Sequence, residues 1–208
     1  MTLIIDLQYF PSIILYTHLN KVSHIVFDSY EPYKKLSFCN RTLIAGSNGV
    51  IKLSVPLTQG RHQKGPIKDI RISNKNPWQS QHWKTILSCY NRSPWFEHYR
   101  DEFAQLYQKS HEFLIEWNLA CFEWSITKLD LPISLGMRQS FGEEYEGANY
   151  LDSRNSLSLK NYKEFKPIVY KQVFEEGTGF LPNLSILDLL FCEGKHASEL
   201  LKLQIKDQ

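Results

Sequence analysis

Polar side chains able to bind a sugar follow short apolar runs near the start of the chain. Gln8 and Tyr9 come after the first run, Asp28 after the second, and Asn40 and Arg41 follow shortly afterwards. Carboxylate and amide groups bind sugar hydroxyls, and arginine holds a carboxylate or phosphate through two parallel hydrogen bonds. This combination predicts a binding site for a sugar that carries an anion.

Tyr33 and Lys35 stand between Asp28 and Asn40 and extend this predicted site with an aromatic face and a cation. Structural roles remain open beside the binding ones. Gln8 and Asn40 would then satisfy loop backbone groups, the lysine pair 34–35 would be solvated surface, and Asp28 would cap the next turn or pair with Arg41.

His82 is the preferred candidate for a general base, because an unperturbed imidazole titrates near neutrality. Together with Asp28 it forms the predicted catalytic pair. Its alternative is a hydrogen-bonded histidine where a helix meets the sheet. The central expectation is that Gln8, Asp28, Arg41 and His82 converge on one hollow.

Further candidates lie in the second half of the chain. Asp152 and Arg154 stand in an irregular segment that could fold over the cleft, or they could form an internal salt bridge. Asn183 could cap a helix or contact a ligand at its N-terminus. Asp188 falls on an otherwise apolar helix and needs a partner, for which Arg41 and Arg138 are the candidates.

The elements that must position these residues begin with a strand, a helix and a second strand. Apolar runs predict strands at residues 3–7 and 24–27, and helical spacing lies between them after Pro11. A strand–helix–strand unit favours a parallel pair, so residues that follow the two strands meet at one sheet edge, where ligands bind in such sheets. Asn48-Gly49 predicts a hairpin of residues 38–45 and 50–57.

Helices dominate the remainder of the chain. Apolar residues at helical spacing predict three helices between residues 77 and 124, with Ser93 and Ser110 as caps of the second and third. Ser185 is predicted to begin another helix that Gly194 ends, and a last one covers residues 197–203. Further strands are predicted at residues 67–72, 133–141 and 168–174, with a long loop at 142–165. The fold class is therefore α/β, one domain over residues 1–208, with a parallel or mixed sheet.

The charge, the cysteines and the missing motifs of the sequence limit which partners, cofactors and locations are predicted. The 208 residues carry a net charge of +2, too small to predict a nucleic-acid partner. Four dispersed cysteines predict reduced thiols and no metal site. No leader or membrane-spanning run is seen, which predicts a cytoplasmic protein. Phosphate-loop, dinucleotide-binding and common hydrolase motifs are missing from the sequence, so no cofactor is predicted.

Several strings resemble the WbqC-like protein family over roughly residues 3–194, with the spacing of its shorter, Bacteroidetes-type members. The strings, in order, are Gln8-Tyr9-Phe10-Pro11, Asp28, Asn40-Arg41 with Asn48-Gly49, His82-Trp83 with Ser93-Pro94, and the block from Gly179 to Phe191. Longer members have proline, often after histidine and glutamine, where Tyr9 stands.

The resemblance implies a role in O-antigen or other cell-envelope glycan biosynthesis. It implies a transferase that moves an acyl or aminoacyl group to a sugar, with a sugar or nucleotide-sugar substrate. The alternative is a non-catalytic ligand-binding or scaffold protein that docks a partner through exposed aromatics at Trp78, Trp95 and Phe96.

Overall fold

A four-stranded parallel sheet forms one part of the molecule. The computed structural model describes residues 1–138, 140, 147 and 149–203. The sheet has the strand order β5-β2-β1-β6, and its strands are β1 Thr2–Ile5, β2 His24–Phe27, β5 Ser134–Met137 and β6 Tyr150–Asp152. Leu3, Ile4 and Ile5 of the central strand are buried, as expected for a strand covered on both faces. The predicted parallel pairing of the first two strands is confirmed.

A separate two-stranded sheet is the predicted hairpin, with strands β3 Arg41–Gly46 and β4 Gly49–Ser54. Gly49 has a φ of 111°, which the tight turn requires and which side chains disfavour. Arg41 pairs with Ser54 at the open end of the hairpin.

Helices pack around both sheets and supply most of the aromatic core. Their bounds are α1 Ile13–Thr17, α2 Trp78–Tyr90, α3 Phe96–Gln108, α4 Leu114–Lys128, α5 Glu175–Thr178, α6 Ile186–Glu193 and α7 Ala197–Leu203, with 3-10 turns at His18–Lys21, Gly60–His62, Ile67–Asp69 and Gly194–His196. Phe103 of α3 contacts Phe10, Trp124 and Phe191 at ring-centre distances of 4.9–5.4 Å. The α/β class with a helical middle and C-terminus is confirmed. Among the described helices, none combines the length and the apolar character that a membrane span needs.

Two predicted strands are wrong. Residues 67–72 contain a 3-10 turn, in which Ile67 and Ile70 are buried three positions apart, followed by isolated bridges. Residues 168–174 show alternating burial, since Tyr170 is buried and Val169 is 71% exposed. That segment bonds to a buried carboxylate rather than to a strand, as described below.

Two predicted caps are also wrong, whereas Ser185 and Gly194 are confirmed at the two ends of α6. The Ser93 hydroxyl donates to the Tyr90 carbonyl at the end of α2, and α3 begins after Trp95. Helix α4 begins after Phe113, three residues beyond Ser110, because the Glu116 carboxylate accepts a hydrogen bond from the Phe113 N–H.

Candidate functional site

An open cavity of about 660 Å³ lies where the open end of the hairpin meets the loop that precedes it. We call it the Arg41 cavity. Its lining comprises Tyr33, Lys35, Leu36, Asn40, Arg41, Ser54, Val55, Pro56, Leu57 and Gly60. Four predicted substrate-binding residues, Tyr33, Lys35, Asn40 and Arg41, therefore line one cavity. The turn between the two strands places the preceding loop beside the end of β4, which is why these separate parts of the sequence meet.

One wall of the Arg41 cavity is held by the amide of Asn40. Asn40 Nδ2 donates to the Val55 carbonyl at 2.9 Å, and the Val55 N–H donates to the Asn40 carbonyl at 2.9 Å. The Tyr33 hydroxyl donates to Asn40 Oδ1 at 3.0 Å. Partial burial raises the pKa of Tyr33, and the nearby Arg41 charge opposes that rise. Asn40 thus satisfies backbone, as its structural interpretation predicted, and fixes the Tyr33 ring.

Arg41 has incomplete hydrogen bonding in the described part of the chain. It is half-buried, and its Nη1 atom is buried with no hydrogen-bond partner among the described residues. The ion pairs of that part of the chain do not include Arg41. An arginine whose Nη1 has no acceptor among the described residues, on a cavity that Lys35 also lines, is suited to an anionic ligand.

His82 lies behind the cavity wall and belongs to a buried hydrogen-bond chain. The Tyr9 hydroxyl lies 3.0 Å from His82 Nδ1 and 2.8 Å from the Tyr107 hydroxyl. Burial lowers the pKa of His82 to about 4, against a hydrogen bond with the Ser54 backbone that raises it. The imidazole is therefore neutral at pH 7. It meets the lining of the Arg41 cavity at Ser54, and Tyr9 is fully buried.

Asp28 lies elsewhere, at the carboxyl edge of the parallel sheet. Its Oδ2 accepts hydrogen bonds at 2.5 Å from Arg138 after β5 and from Arg154 after β6. Arg154 also bonds Asp152, and the Asp28 Oδ1 atom accepts from the Tyr30 N–H at 3.0 Å. Of the two structural roles predicted for Asp28, the cap of the next turn is found and the pairing with Arg41 is not. This Asp28 cluster joins the ends of three strands, and Asp152 and Arg154 form the internal salt bridge that was one of their two predicted roles.

Gln8 and Asn183 occupy two further places. Gln8 lines a smaller cavity of about 120 Å³ between the sheet and α1, which we call the Gln8 cavity. Asn183 Nδ2 donates to the carbonyls of Tyr162 and Phe165, each at 2.8 Å. The helix cap is Ser185, so the prediction of Asn183 as the cap is wrong. Its amide holds the long segment before it.

The expected convergence on one hollow is therefore not found. The predicted residues divide among the Arg41 cavity, the Gln8 cavity, the Asp28 cluster and the interior. The structure adds two residues that sequence reasoning missed. Asp6 follows β1 at the same edge as Asp28 and would have been selected by the same rule, whereas Ser54 carried no signal because its role comes from its backbone.

The burial of the aromatic and cysteine side chains bears on two further predictions. Trp78 and Phe96 are 3% and 0% exposed, so the predicted docking patch of exposed aromatics is wrong. Both rings pack into the aromatic core. The four cysteines are free and buried. Within the described residues, no three His, Cys, Asp or Glu side chains are grouped so as to hold a metal.

Asp188 bonds neither Arg41 nor Arg138, contrary to expectation. Tyr90 and Tyr170 donate to its two carboxylate oxygens at 2.6 Å, and Gln172 Nε2 donates at 3.0 Å. The Tyr90 hydroxyl accepts from the Ala45 N–H of β3 at 2.9 Å. Burial raises the pKa of Asp188 and these hydrogen bonds oppose the rise. The carboxylate is a structural link between β3, α6 and the segment around Tyr170.

Comparison with known proteins gives one family and one relative. The model of the WbqC-like protein family matches residues 8–162. A Mycobacterium tuberculosis protein, named as uncharacterized protein Rv1507c, is 27% identical over 209 aligned residues that cover 86% of this chain and 87% of the relative. No solved structure matches the chain.

Proposed function

Because the chain belongs to the WbqC-like protein family, we propose that it is a group transferase of O-antigen or other cell-envelope glycan biosynthesis. It transfers an acyl or aminoacyl group to a sugar in the cytoplasm, and its substrate is a sugar linked to a phosphate or a nucleotide. The observation that carries the proposal is the buried, unpartnered Nη1 of Arg41 on the wall of a cavity of about 660 Å³.

The cavity composition supports an anionic sugar. Arg41 and Lys35 supply two positive charges, and Tyr33 supplies an aromatic face fixed by Asn40. A phosphate oxygen at Arg41 would give the guanidinium a charge-assisted hydrogen bond, which contributes about 1.5–3 kcal/mol. The volume lies within the range of about 300–1,000 Å³ typical of small-molecule sites.

His82 and Asp28 act in this proposal as positioning residues. The His82 ring holds the Ser54 backbone on the cavity wall. Asp28 fixes the sheet edge through Arg138 and Arg154. Groups that contact substrate are therefore sought among the lining residues, where Tyr33 and Lys35 carry exchangeable protons.

A non-catalytic ligand-binding protein is the second candidate. One observation favours it: the described residues that line the Arg41 cavity include no carboxylate and no imidazole. Such a protein would bind the same anionic sugar without converting it. Binding and turnover must therefore be measured separately.

Calorimetric titration of the full chain with UDP-glucose, pyrophosphate and glucose tests the binding step. We expect UDP-glucose and pyrophosphate to bind, and glucose alone to bind far more weakly. Arg41→Met should weaken both anionic ligands, whereas Arg100→Met, which removes an exposed guanidinium from α3, should leave them unchanged. Equal affinity of wild type and Arg41→Met would contradict the assigned site.

Mass spectrometry of a UDP-sugar panel incubated with acyl-thioester and aminoacyl donors tests the transfer step. A sugar product heavier by one acyl or aminoacyl group, and reduced in Arg41→Met, is expected. Tight binding of UDP-sugars without product from the donor panel would instead support the non-catalytic candidate.

A further inference from the structure

The Gln8 cavity is small, and much of its lining is apolar. It lies between β1, α1 and the segment that follows β6, and its volume is about 120 Å³. Its apolar lining is Leu3, Ile5, Ile14, Leu15, Leu157 and Phe165. An engineered apolar cavity of about 150 Å³ binds benzene, so this one accommodates a chain of about four carbons.

Two buried oxygen atoms without partners belong to residues on the same lining. Gln8 is 3% exposed, and its Oε1 has no hydrogen-bond partner among the described residues. Asp6 Oδ2 accepts from the Asn155 N–H at 2.8 Å, whereas Asp6 Oδ1 is buried and equally unpartnered there. Buried acceptors normally find a donor, because leaving them unpaired costs free energy. His18, Ser153 and Ser156 also line the cavity, but none of them is bonded to either oxygen.

The charge at this end of the cavity favours a cation. Burial raises the pKa of Asp6 to about 6, so the carboxylate is ionised at neutral pH. Lys34 and Arg154 are the nearby cations, and each already pairs with another carboxylate, Glu31 for the first and Asp152 and Asp28 for the second. Glu31 adds further negative potential.

We propose that the Gln8 cavity binds a small aliphatic primary amine, with its ammonium group on Asp6 Oδ1 and Gln8 Oε1 and its alkyl chain among the apolar side chains. An ammonium has three donors, enough for both oxygens. A water molecule would satisfy the oxygens but would leave the apolar lining without contacts. The site is separate from the Arg41 cavity and does not depend on the proposed transfer reaction.

Binding of n-butylammonium chloride and butan-1-ol to the full chain, measured by NMR titration at pH 7.5 and constant ionic strength, tests the proposal. The two probes have similar shape and differ in charge. We expect the ammonium to bind at least about tenfold more tightly, a difference of about 1.4 kcal/mol. Equal affinities, or no binding of either probe, would overturn the proposal.

Variants of Asp6 and Gln8 test whether the amine binds in the Gln8 cavity. Asp6→Asn and Gln8→Met should each weaken n-butylammonium about tenfold or more, whereas the exposed Asp101→Asn should not. Asp6→Asn keeps the shape of the side chain and removes an unpaired buried charge, so it should fold, and Gln8→Met is a second variant that leaves Asp6 in place. Arg41→Met should retain amine binding even if the proposed function fails. Unchanged amine affinity in both Asp6→Asn and Gln8→Met would refute the site.

Discussion

The two ends of strand β3 hold buried polar groups that differ in how completely they are bonded. At Ala45, the backbone N–H meets Tyr90, whose hydroxyl bonds Asp188, and both oxygens of that carboxylate have donors. At Arg41, the guanidinium has a buried nitrogen without a partner among the described residues, and the residue lines a cavity. A fully bonded buried network is typical of a structural role. An incomplete one beside a cavity indicates a ligand.

The largest effect is expected from disrupting the fully bonded network around Asp188, at the Ala45 end of β3. Asp188→Leu leaves three buried donors, from Tyr90, Tyr170 and Gln172, without an acceptor. We expect the free energy of unfolding to fall by about 4 kcal/mol, measured by urea denaturation. Asp101→Leu, at an exposed carboxylate, is the matched control and should change it by less than about 0.5 kcal/mol. A loss below about 1 kcal/mol for Asp188→Leu would contradict a structural role.

A substitution at the Arg41 end of β3 should instead weaken ligand binding and leave the stability nearly unchanged. Arg41→Met is expected to weaken UDP-glucose by about 2 kcal/mol, or roughly 30-fold, because a charge-assisted hydrogen bond is lost. Its free energy of unfolding should change by less than about 0.5 kcal/mol, since no protein partner is lost. Calorimetry and urea denaturation of the same preparations measure both. A strongly destabilised variant would show that Arg41 has a structural role instead.

The hydrogen-bond chain of Tyr107, Tyr9 and His82 tests whether the His82 imidazole has a structural role, as the bonded network around Asp188 has. Tyr9→Phe removes the hydroxyl that contacts both His82 Nδ1 and the Tyr107 hydroxyl. We expect a loss of about 1.5 kcal/mol in the free energy of unfolding. The affinity for UDP-glucose should stay within about threefold of wild type, because no group of Tyr9 reaches the cavity. A large loss of affinity with unchanged stability would restore Tyr9 and His82 to the binding site.

The pH dependence of stability reports on the carboxylate of Asp6, whose Oδ1 has no partner among the described residues. Its folded-state pKa is about 6 against an ordinary value of 3.8, raised by burial and by Glu31 and lowered by the Asn155 N–H, Lys34 and Arg154. The folded state therefore retains a proton that the unfolded state loses between these values. Stability from this group is present below pH 3.8 and is lost as pH rises to about 6.

Comparison of urea denaturation curves for wild type and Asp6→Asn across pH 4–7 isolates this contribution, because the other titrating groups are common to both proteins. The difference in unfolding free energy should move in favour of Asp6→Asn as pH rises, and then become constant. A difference that does not vary with pH would place Asp6 in a solvated environment.

Local chemistry in the sequence was sufficient for the parallel strands, the Asn-Gly hairpin and the ends of α6. Apolar runs and turn residues determine those features over a few positions. The segment 168–174 was misassigned because its alternation is produced by bonds to a distant carboxylate, Asp188. Periodicity within a segment does not reveal such a partner.

The candidate site shows the same division. Tyr33, Lys35, Asn40 and Arg41 are near one another in sequence, and their grouping was predictable. The placement of Asp28 with Arg138 and Arg154 depends on strands β5 and β6, which are more than 100 residues away. The separation of His82 from the cavity depends on how α2 packs against the β3–β4 hairpin. Both depend on tertiary packing between distant segments, which residue types and spacing do not reveal.

A crystal structure of the protein with UDP-glucose bound is the most direct test of the account. We predict that the diphosphate lies within hydrogen-bond distance of the Arg41 guanidinium, with the ligand filling the cavity beside Tyr33 and Lys35. A ligand bound at the Asp28 cluster or the Gln8 cavity, with the Arg41 guanidinium still unpartnered, would contradict the assignment.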